Sequence, residues 1–253
     1  MINEQFFDMY KRVRNMLVVL AIFCVSDVCL GISDIRKESI SQYDKKTIYH
    51  LNMEAQQGDD EAQFKLAVIY LKGDGVKQDY KKAFKWYKKS AEQGNARAQN
   101  NLGWMYIKGH GVNQDYKEAF KWYKEAAEQG NARAQNNLGW MYIKGHGVNQ
   151  DYKEAFKWYK EAAEQGDDYA QGILGWMCYK GHGVNQDYKE AFKWYKKAAK
   201  QGNAKAQYNL GEMYFNGYGV KQNYNKAVNW FEKAAKQGHS DAKTALALCA
   251  TKH

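Results

Sequence analysis

Apolar residues along most of the chain recur at steps of three and four, the spacing that places side chains on one face of a helix. In residues 95–130, Ala98 and Leu102 belong to one such stripe. A Gly-His-Gly segment at 109–111 ends this stripe, because glycine adopts the backbone angles that a helix end requires. A second amphipathic stretch follows, with Asp115 as its predicted N-cap. The pattern predicts a helical hairpin.

The hairpin is repeated along the chain. Glycines recur at a fixed step of 36 residues from Gly58 to Gly238. This spacing defines five repeats, numbered 1 to 5, at residues 59–94, 95–130, 131–166, 167–202 and 203–238. Repeats 2 and 3 are identical at every position, which indicates that whole repeats can be added as modules.

One hairpin leaves an apolar face of its helices uncovered, so consecutive repeats must stack. The sequence therefore predicts an all-α fold, a right-handed α-α superhelix or solenoid. Residues 34–58 end in register with a second helix but have His50 where the repeats have Trp. Residues 239–253 match a first helix and stop before a Gly-x-Gly turn. We expect these degenerate half-repeats to be the capping helices.

Composition argues against catalysis and against nucleic acid as a partner. The chain of 253 residues has only six serines and three threonines, and its four cysteines do not form a disulfide framework. The net charge of +10 is spread evenly over the repeats and comes mostly from lysine. Lysines alternate with glutamates on the second helices, as on a solvated surface. We expect no cofactor and no nucleic-acid partner.

Tryptophans fall into two classes. One class occupies the same second-helix position in every repeat, from Trp86 to Trp230, and is predicted to pack between repeats. The other class, on the first helices, lies about 200° around the helical wheel from the core stripe, at ~100° per residue. We expect this second class to be exposed, with partial packing against the next repeat as the alternative. It consists of Trp104, Trp140 and Trp176.

Two other patterns suggest chemistry that the spacing does not support. His110, His146 and His182 occupy equivalent turns, but turns of successive repeats are about 8–10 Å apart, too far for the shared coordination of one zinc ion. We interpret them as exposed turn residues and predict no metal site. The Gly-x-Gly turns lack the third glycine and the preceding strand of a dinucleotide-binding motif.

The recurring segments AQNNLGWMY, G-x-G-V-x-Q-D-Y and A-x-x-W-Y-x-x-A-A-x-Q-G, here from repeat 2, resemble those of the Sel-one-like repeat family, which is related to tetratricopeptide repeats. The resemblance covers roughly residues 59–250. It implies an envelope-located or secreted bacterial adaptor whose first helices line the concave face. A cysteine-rich branch, associated with β-lactam binding or cleavage, has a cysteine pair in each repeat that this chain lacks.

We therefore expect a monomeric, non-catalytic scaffold that binds a protein or peptide on its concave face. The alternatives are a β-lactam-binding or cell-wall enzyme, a secreted effector that acts on host proteins, and a spacer without a partner. First-helix positions whose residues change between repeats are predicted to make the contacts, because packing does not maintain them. The candidates are Arg97, Asn100, Asn101, Trp104, Arg133, Asn136, Asn137, Trp140, Tyr169, Trp176 and Tyr208.

Residues 1–33 are predicted to form a signal peptide or an N-terminal anchor. The apolar run at 16–25 follows three basic residues and has the length of a signal-peptide core, shorter than the ~20 residues of a membrane span. Cleavage between Asp27 and Asp34 would release the protein to the periplasm or the exterior. An uncleaved inner-membrane anchor and a core-packing helix are the alternatives, and Met9 is an alternative start to Met1.

Overall fold

The computed structural model describes residues 43–250, which lie in one compact unit. This part of the chain contains twelve helices and no strand, so the predicted all-α class is confirmed. The helices are α1 (Lys45–Gln56), α2 (Asp60–Lys72), α3 (Tyr80–Glu92), α4 (Ala96–Lys108), α5 (Tyr116–Glu128), α6 (Ala132–Lys144), α7 (Tyr152–Glu164), α8 (Asp168–Lys180), α9 (Tyr188–Lys200), α10 (Ala204–Asn216), α11 (Tyr224–Lys236) and α12 (Ser240–Ala250).

Each repeat is a pair of helices whose ends are set by local side chains. Asp115 is the N-cap of α5, as predicted, and its carboxylate accepts hydrogen bonds from the N–H groups of Lys117 (2.8 Å) and Glu118 (3.1 Å). The first helix α4 ends at Gly109, whose φ of 68° is in the left-handed region. The same arrangement in all five repeats produces helices of 13 residues each.

In repeats 2 to 5 the two helices meet at a glycine and an aromatic ring, whereas repeat 1 has Ala67 at the position of the glycine. A Cβ added to Gly103 of α4 would lie 2.8 Å from the ring of Tyr123 on α5. Tyr123 is fully buried, whereas the neighbouring Trp122 lies at the edge of the core. The second-helix tryptophans, predicted to pack between repeats, are buried to different extents. Trp122 and Trp194 are buried, but Trp86, Trp158 and Trp230 are half-buried.

Successive repeats are joined at the Gly-x-Gly turn and by a first-helix glutamine that bonds to the preceding repeat and is held by a second glutamine of its own repeat. The turn approaches so closely that a side chain on Gly111 would collide with the main-chain carbonyl of Tyr80, at the start of α3. Gln129 donates from Nε2 to Oε1 of Gln99 over 2.7 Å, and Gln99 donates to the carbonyl of Ala91 over 3.2 Å. Equivalent glutamine pairs occur in all five repeats.

The two terminal helices cover the ends of the array. Helix α1 packs against α2 and buries Leu51 and Ala55. Helix α12 packs against α11 and buries Ala242 and Cys249, among others. None of the helices in residues 43–250 is both long and apolar enough to cross a bilayer. The predicted leader at 1–33 and the first part of the cap, 34–42, lie outside the described residues.

Candidate functional site

The candidate residues lie on the first helices of repeats 2 to 5, but five of them are buried and not exposed as predicted. Helix α4 packs against α3 and α5, and it also bonds to α6, so the side of the helix opposite the core stripe is covered as well. The helical-wheel argument failed because it assumed one packed side. The buried candidates are Asn100, Asn101, Trp104, Asn136 and Asn137.

The buried asparagines form a hydrogen-bonded chain between repeats. Asn101 donates from Nδ2 to the hydroxyl of Tyr87 over 3.1 Å. Asn100 donates to Oδ1 of Asn101 over 3.3 Å and accepts from Nδ2 of Asn137 over 3.0 Å. These bonds connect α3, α4 and α6, so the amides contribute to the repeat junctions.

Several buried polar atoms have no hydrogen-bond partner within residues 43–250. Among them are Nε1 of Trp104, the hydroxyl of Tyr123 and Oδ1 of Asn136. In repeat 1 the equivalent tyrosine, Tyr87, accepts the bond from Asn101, whereas Asn137 bonds to Asn100 and leaves Tyr123 unpartnered. Two repeats of identical sequence thus use their asparagines differently. Burial also raises the pKa of Tyr123 well above its usual value.

Each first-helix tryptophan packs against the histidine of its own turn. The ring centroids of Trp104 and His110 are 5.1 Å apart, and the planes are nearly parallel, at 10°. Trp104 is 7% exposed, whereas Trp140 and Trp176 are half-buried. The expectation that these residues are exposed is therefore wrong for Trp104, which packs on the turn of its own repeat, whereas the alternative placed the packing against the next repeat. Trp140 and Trp176 remain accessible in part.

The turn histidines also contact the preceding repeat. The His110 ring lies 4.3 Å from the ring of Tyr80, which begins the second helix of repeat 1. Burial is the main cause that lowers the pKa of His110, and Lys108 acts in the same direction. The interpretation of these histidines as exposed turn residues was wrong, since all three are half-buried between two aromatic rings.

Arg97 is the one exposed member of the candidate set. Its guanidinium donates two hydrogen bonds to the carboxylate of Glu61, at 2.8 and 3.1 Å, and lies 4.1 Å from the ring centroid of Phe64. Arg133, at the same position of repeat 3, is half-buried. Burial lowers the pKa of its guanidinium, and the Asp167 carboxylate acts in the opposite direction.

The last two candidates lie towards the C-terminal end of the array. Tyr169 and Tyr208 are both half-buried. Tyr208 stacks on His239 with ring centroids 4.7 Å apart and planes 15° apart. Tyr208 therefore also contacts the junction between repeat 5 and the C-terminal cap.

The described part of the chain offers little to metal or thiol chemistry. Within residues 43–250, no group of three or more His, Cys, Asp or Glu side chains is placed to hold a metal ion. Cys178 is buried, and burial raises the pKa of its thiol to about 11. A thiol in that state is a poor nucleophile at neutral pH.

Sequence reasoning missed the residues that build the junctions. The glutamine pairs and the turn histidines recur at the 36-residue step, and that periodicity was the available signal. Nothing in the sequence distinguished the hydrogen-bonded asparagines from an exposed polar surface. Even the identical sequences of repeats 2 and 3 form different bonds, since Asn101 donates to Tyr87 and Asn137 donates to Asn100.

Two solved structures share this fold at substantial identity. A Sel1 repeat protein from Oxalobacter formigenes is 35% identical, with a TM-score of 0.76 and 87% of each chain covered. A protective antigen of uropathogenic Escherichia coli strains, described as displaying an SLR fold, is 36% identical with a TM-score of 0.75. That match covers 85% of this chain and 50% of the E. coli chain, so this chain spans half the length of that relative. No curated protein gives a significant match.

The family model for the Sel1 repeat matches five consecutive segments, each beginning one residue after the repeat boundary defined above. The segments are 60–95, 96–131, 132–167, 168–203 and 204–239. Sel1 repeat solenoids generally serve as protein-interaction scaffolds. With five matched repeats and the fold that they predict, the chain belongs to the Sel1 repeat family.

Proposed function

We propose that this solenoid is a non-catalytic scaffold that binds a protein or peptide segment on its first helices. The contact residues are the candidates that are exposed or half-buried, which we call the first-helix surface. We further propose that this surface is the concave face of the solenoid. It consists of Arg97, Arg133, Trp140, Tyr169, Trp176 and Tyr208.

The observation that carries the proposal is a contrast between two kinds of position on the same helices. The position of Leu102 is leucine in all five repeats, and all five leucines are buried. The position of Arg97 is Glu, Arg, Arg, Tyr and Lys in successive repeats. Packing holds the first position constant, whereas the residue type at the second position changes, as expected where side chains match a partner.

The chemistry of the surface suits a peptide. Aromatic residues and arginine contribute a large share of binding energy at protein interfaces. Four of the six residues of the first-helix surface are aromatic and the other two are arginines.

Selection from a random peptide library displayed on phage, with the full chain as bait, tests this proposal. A selected peptide is then synthesised and titrated calorimetrically against the wild type, W140A and W176A. Loss of an anchoring tryptophan should weaken binding by about 2 kcal/mol or more, roughly thirtyfold in Kd. Circular dichroism verifies that each variant is folded.

The matched control is Y49A, because Tyr49 is an aromatic residue that is 63% exposed on the capping helix α1. The proposal expects Y49A to bind the peptide as the wild type does. Equal affinities for all variants, or a loss confined to Y49A, would show that the first-helix surface is not the binding site.

We also propose that the protein is exported, on the basis of the basic and apolar pattern in residues 1–33. N-terminal sequencing of protein from the native host should give a start between Asp27 and Asp34. An intact apolar segment in the membrane fraction would favour the anchor, and an intact segment in the cytoplasm would contradict export.

A further inference from the structure

The turn histidines occupy equivalent places in three successive junctions, although the ring parallel to the imidazole is the tryptophan for His110 and the tyrosine for the other two. His110, His146 and His182 each lie between the tryptophan of their own first helix and the tyrosine that begins the second helix of the preceding repeat. For His146 the centroid distances are 5.1 Å to Trp140 and 4.6 Å to Tyr116. For His182 they are 4.9 Å to Trp176 and 4.8 Å to Tyr152.

The junction between repeats 4 and 5 has a tyrosine in the place of the histidine. Tyr218 takes the equivalent turn position and stacks on Tyr188, with centroids 5.0 Å and planes 16° apart. Repeat 5 also has Glu212 in place of the first-helix tryptophan. Among the junctions between repeats 1 and 5, three thus have a histidine in this turn and one has a tyrosine.

We propose that these three histidines make the junctions of repeats 1–2, 2–3 and 3–4 acid-sensitive, so that protonation loosens the first four repeats while the repeat 4–5 junction stays closed. Each imidazole lies between two aromatic rings, and its charged form must lose water to remain there. Acidification would therefore favour a state in which the turn has moved away from the preceding helix.

The charges around each histidine act in the same direction. His110 has Lys108 nearby on α4 and Tyr80 on α3, and within the described residues no carboxylate contributes to its pKa shift. Burial is the larger cause and the lysine the smaller, and both lower the pKa of the imidazole. Burial and Lys144 lower the pKa of His146 in the same way, and burial and Lys180 lower that of His182.

The pH range follows from that direction. A histidine in the unfolded or opened chain has a pKa near 6.5, and the stacked histidines have a lower one. Well above pH ~6.5 both states are mostly neutral and the junction is at full stability. As the pH falls through 6.5, the opened state binds protons first, and stability is lost until the stacked histidines are protonated too. Carboxylates, with ordinary pKa values of about 4, titrate mostly below this range.

Hydrogen exchange measured by NMR tests the proposal without any substitution. The turn amides of His110, His146, His182 and Tyr218 all donate to the carbonyl of a first-helix methionine, at 3.0 to 3.1 Å. Protection factors, corrected for intrinsic exchange, are compared at pH 7.5 and 5.5. We expect the three histidine amides to lose protection several-fold relative to Tyr218. Equal changes at all four amides would overturn the proposal.

A substitution provides the second test. The variant H110Y/H146Y/H182Y copies the tyrosine of repeat 5 into the other turns, and H146Y alone serves if the triple variant does not fold. The urea midpoint of the wild type should be lower at pH 5.5 than at pH 7.5. The midpoint of the variant should change clearly less. The control H50N, on the exposed side of α1, should behave as the wild type. A variant that loses as much stability as the wild type on acidification would contradict the proposal.

Discussion

The ring of Tyr123 lies directly against the main chain of Gly103, so close that a Cβ at this glycine would be 2.8 Å from two ring carbons. The same contact recurs with Gly139 and Tyr159, and in repeat 5 Phe231 takes the place of the tyrosine against Gly211. Glycine normally weakens a helix interior. In repeats 2 to 5 it lets the aromatic ring lie against the main chain of the first helix, whereas repeat 1 has Ala67 at this position and still buries Tyr87 fully.

Substitution of this glycine by alanine should destabilise the protein. We expect G103A to lower the free energy of unfolding by about 1–3 kcal/mol, the usual cost of overpacking a close-packed site. Urea unfolding followed by circular dichroism measures the change.

Gly172 provides the matched control, because it also lies within a first helix but a Cβ there would only approach Asn203 at 4.0 Å. G172A should be neutral or stabilise by up to about 1 kcal/mol through helix propensity. If G103A proves as harmless as G172A, the glycine-to-ring contact does not limit the packing of the repeat.

Two tyrosines at equivalent positions should respond differently to loss of the hydroxyl. Y87F removes the acceptor of the bond from Asn101 and should cost about 0.5–1.5 kcal/mol. Y123F removes a buried hydroxyl with no partner within residues 43–250, so stability should be unchanged or rise by up to about 1 kcal/mol. Equal losses in thermal or urea unfolding would mean that both hydroxyls are bonded.

Deletion of residues 131–166 should leave a folded solenoid of four repeats. The stability of a repeat array is roughly the sum of repeat and junction contributions, and the new connection from Gly130 to Asp167 reproduces the existing one from Gly166 to Asp167. We expect full helicity per residue, one cooperative urea transition and a lower midpoint. Loss of the helical circular dichroism signal would refute the modular account.

The fold was predictable because the residues that define it are periodic. Gly109 and Asp115 mark helix ends with little ambiguity, and the structure uses them as a C-cap and an N-cap. Stacking of hairpins then follows from the apolar stripes alone. The family resemblance rests on the same residues, so the resemblance and the periodicity predict the same fold.

The candidate surface was less predictable, because exposure depends on which helices meet. Asn100 and Trp104 look like surface residues on a single helical wheel, but α6 covers one and the His110 turn covers the other. A wheel describes one helix, whereas burial in a solenoid is decided by the neighbouring repeats. The binding proposal keeps only the variable positions that remain accessible, such as Trp176.

The most direct test of the binding proposal is ¹⁹F NMR of the protein labelled with 5-fluorotryptophan, titrated with a library-selected peptide. The chain has eight tryptophans, three on first helices and five on second helices, and Trp→Phe variants assign the eight signals. The account predicts that the signals of Trp140 and Trp176 shift on titration, while those of the second helices, such as Trp158 and Trp230, stay in place. Shifts confined to the second-helix tryptophans would contradict it and place the partner on the opposite side of the solenoid.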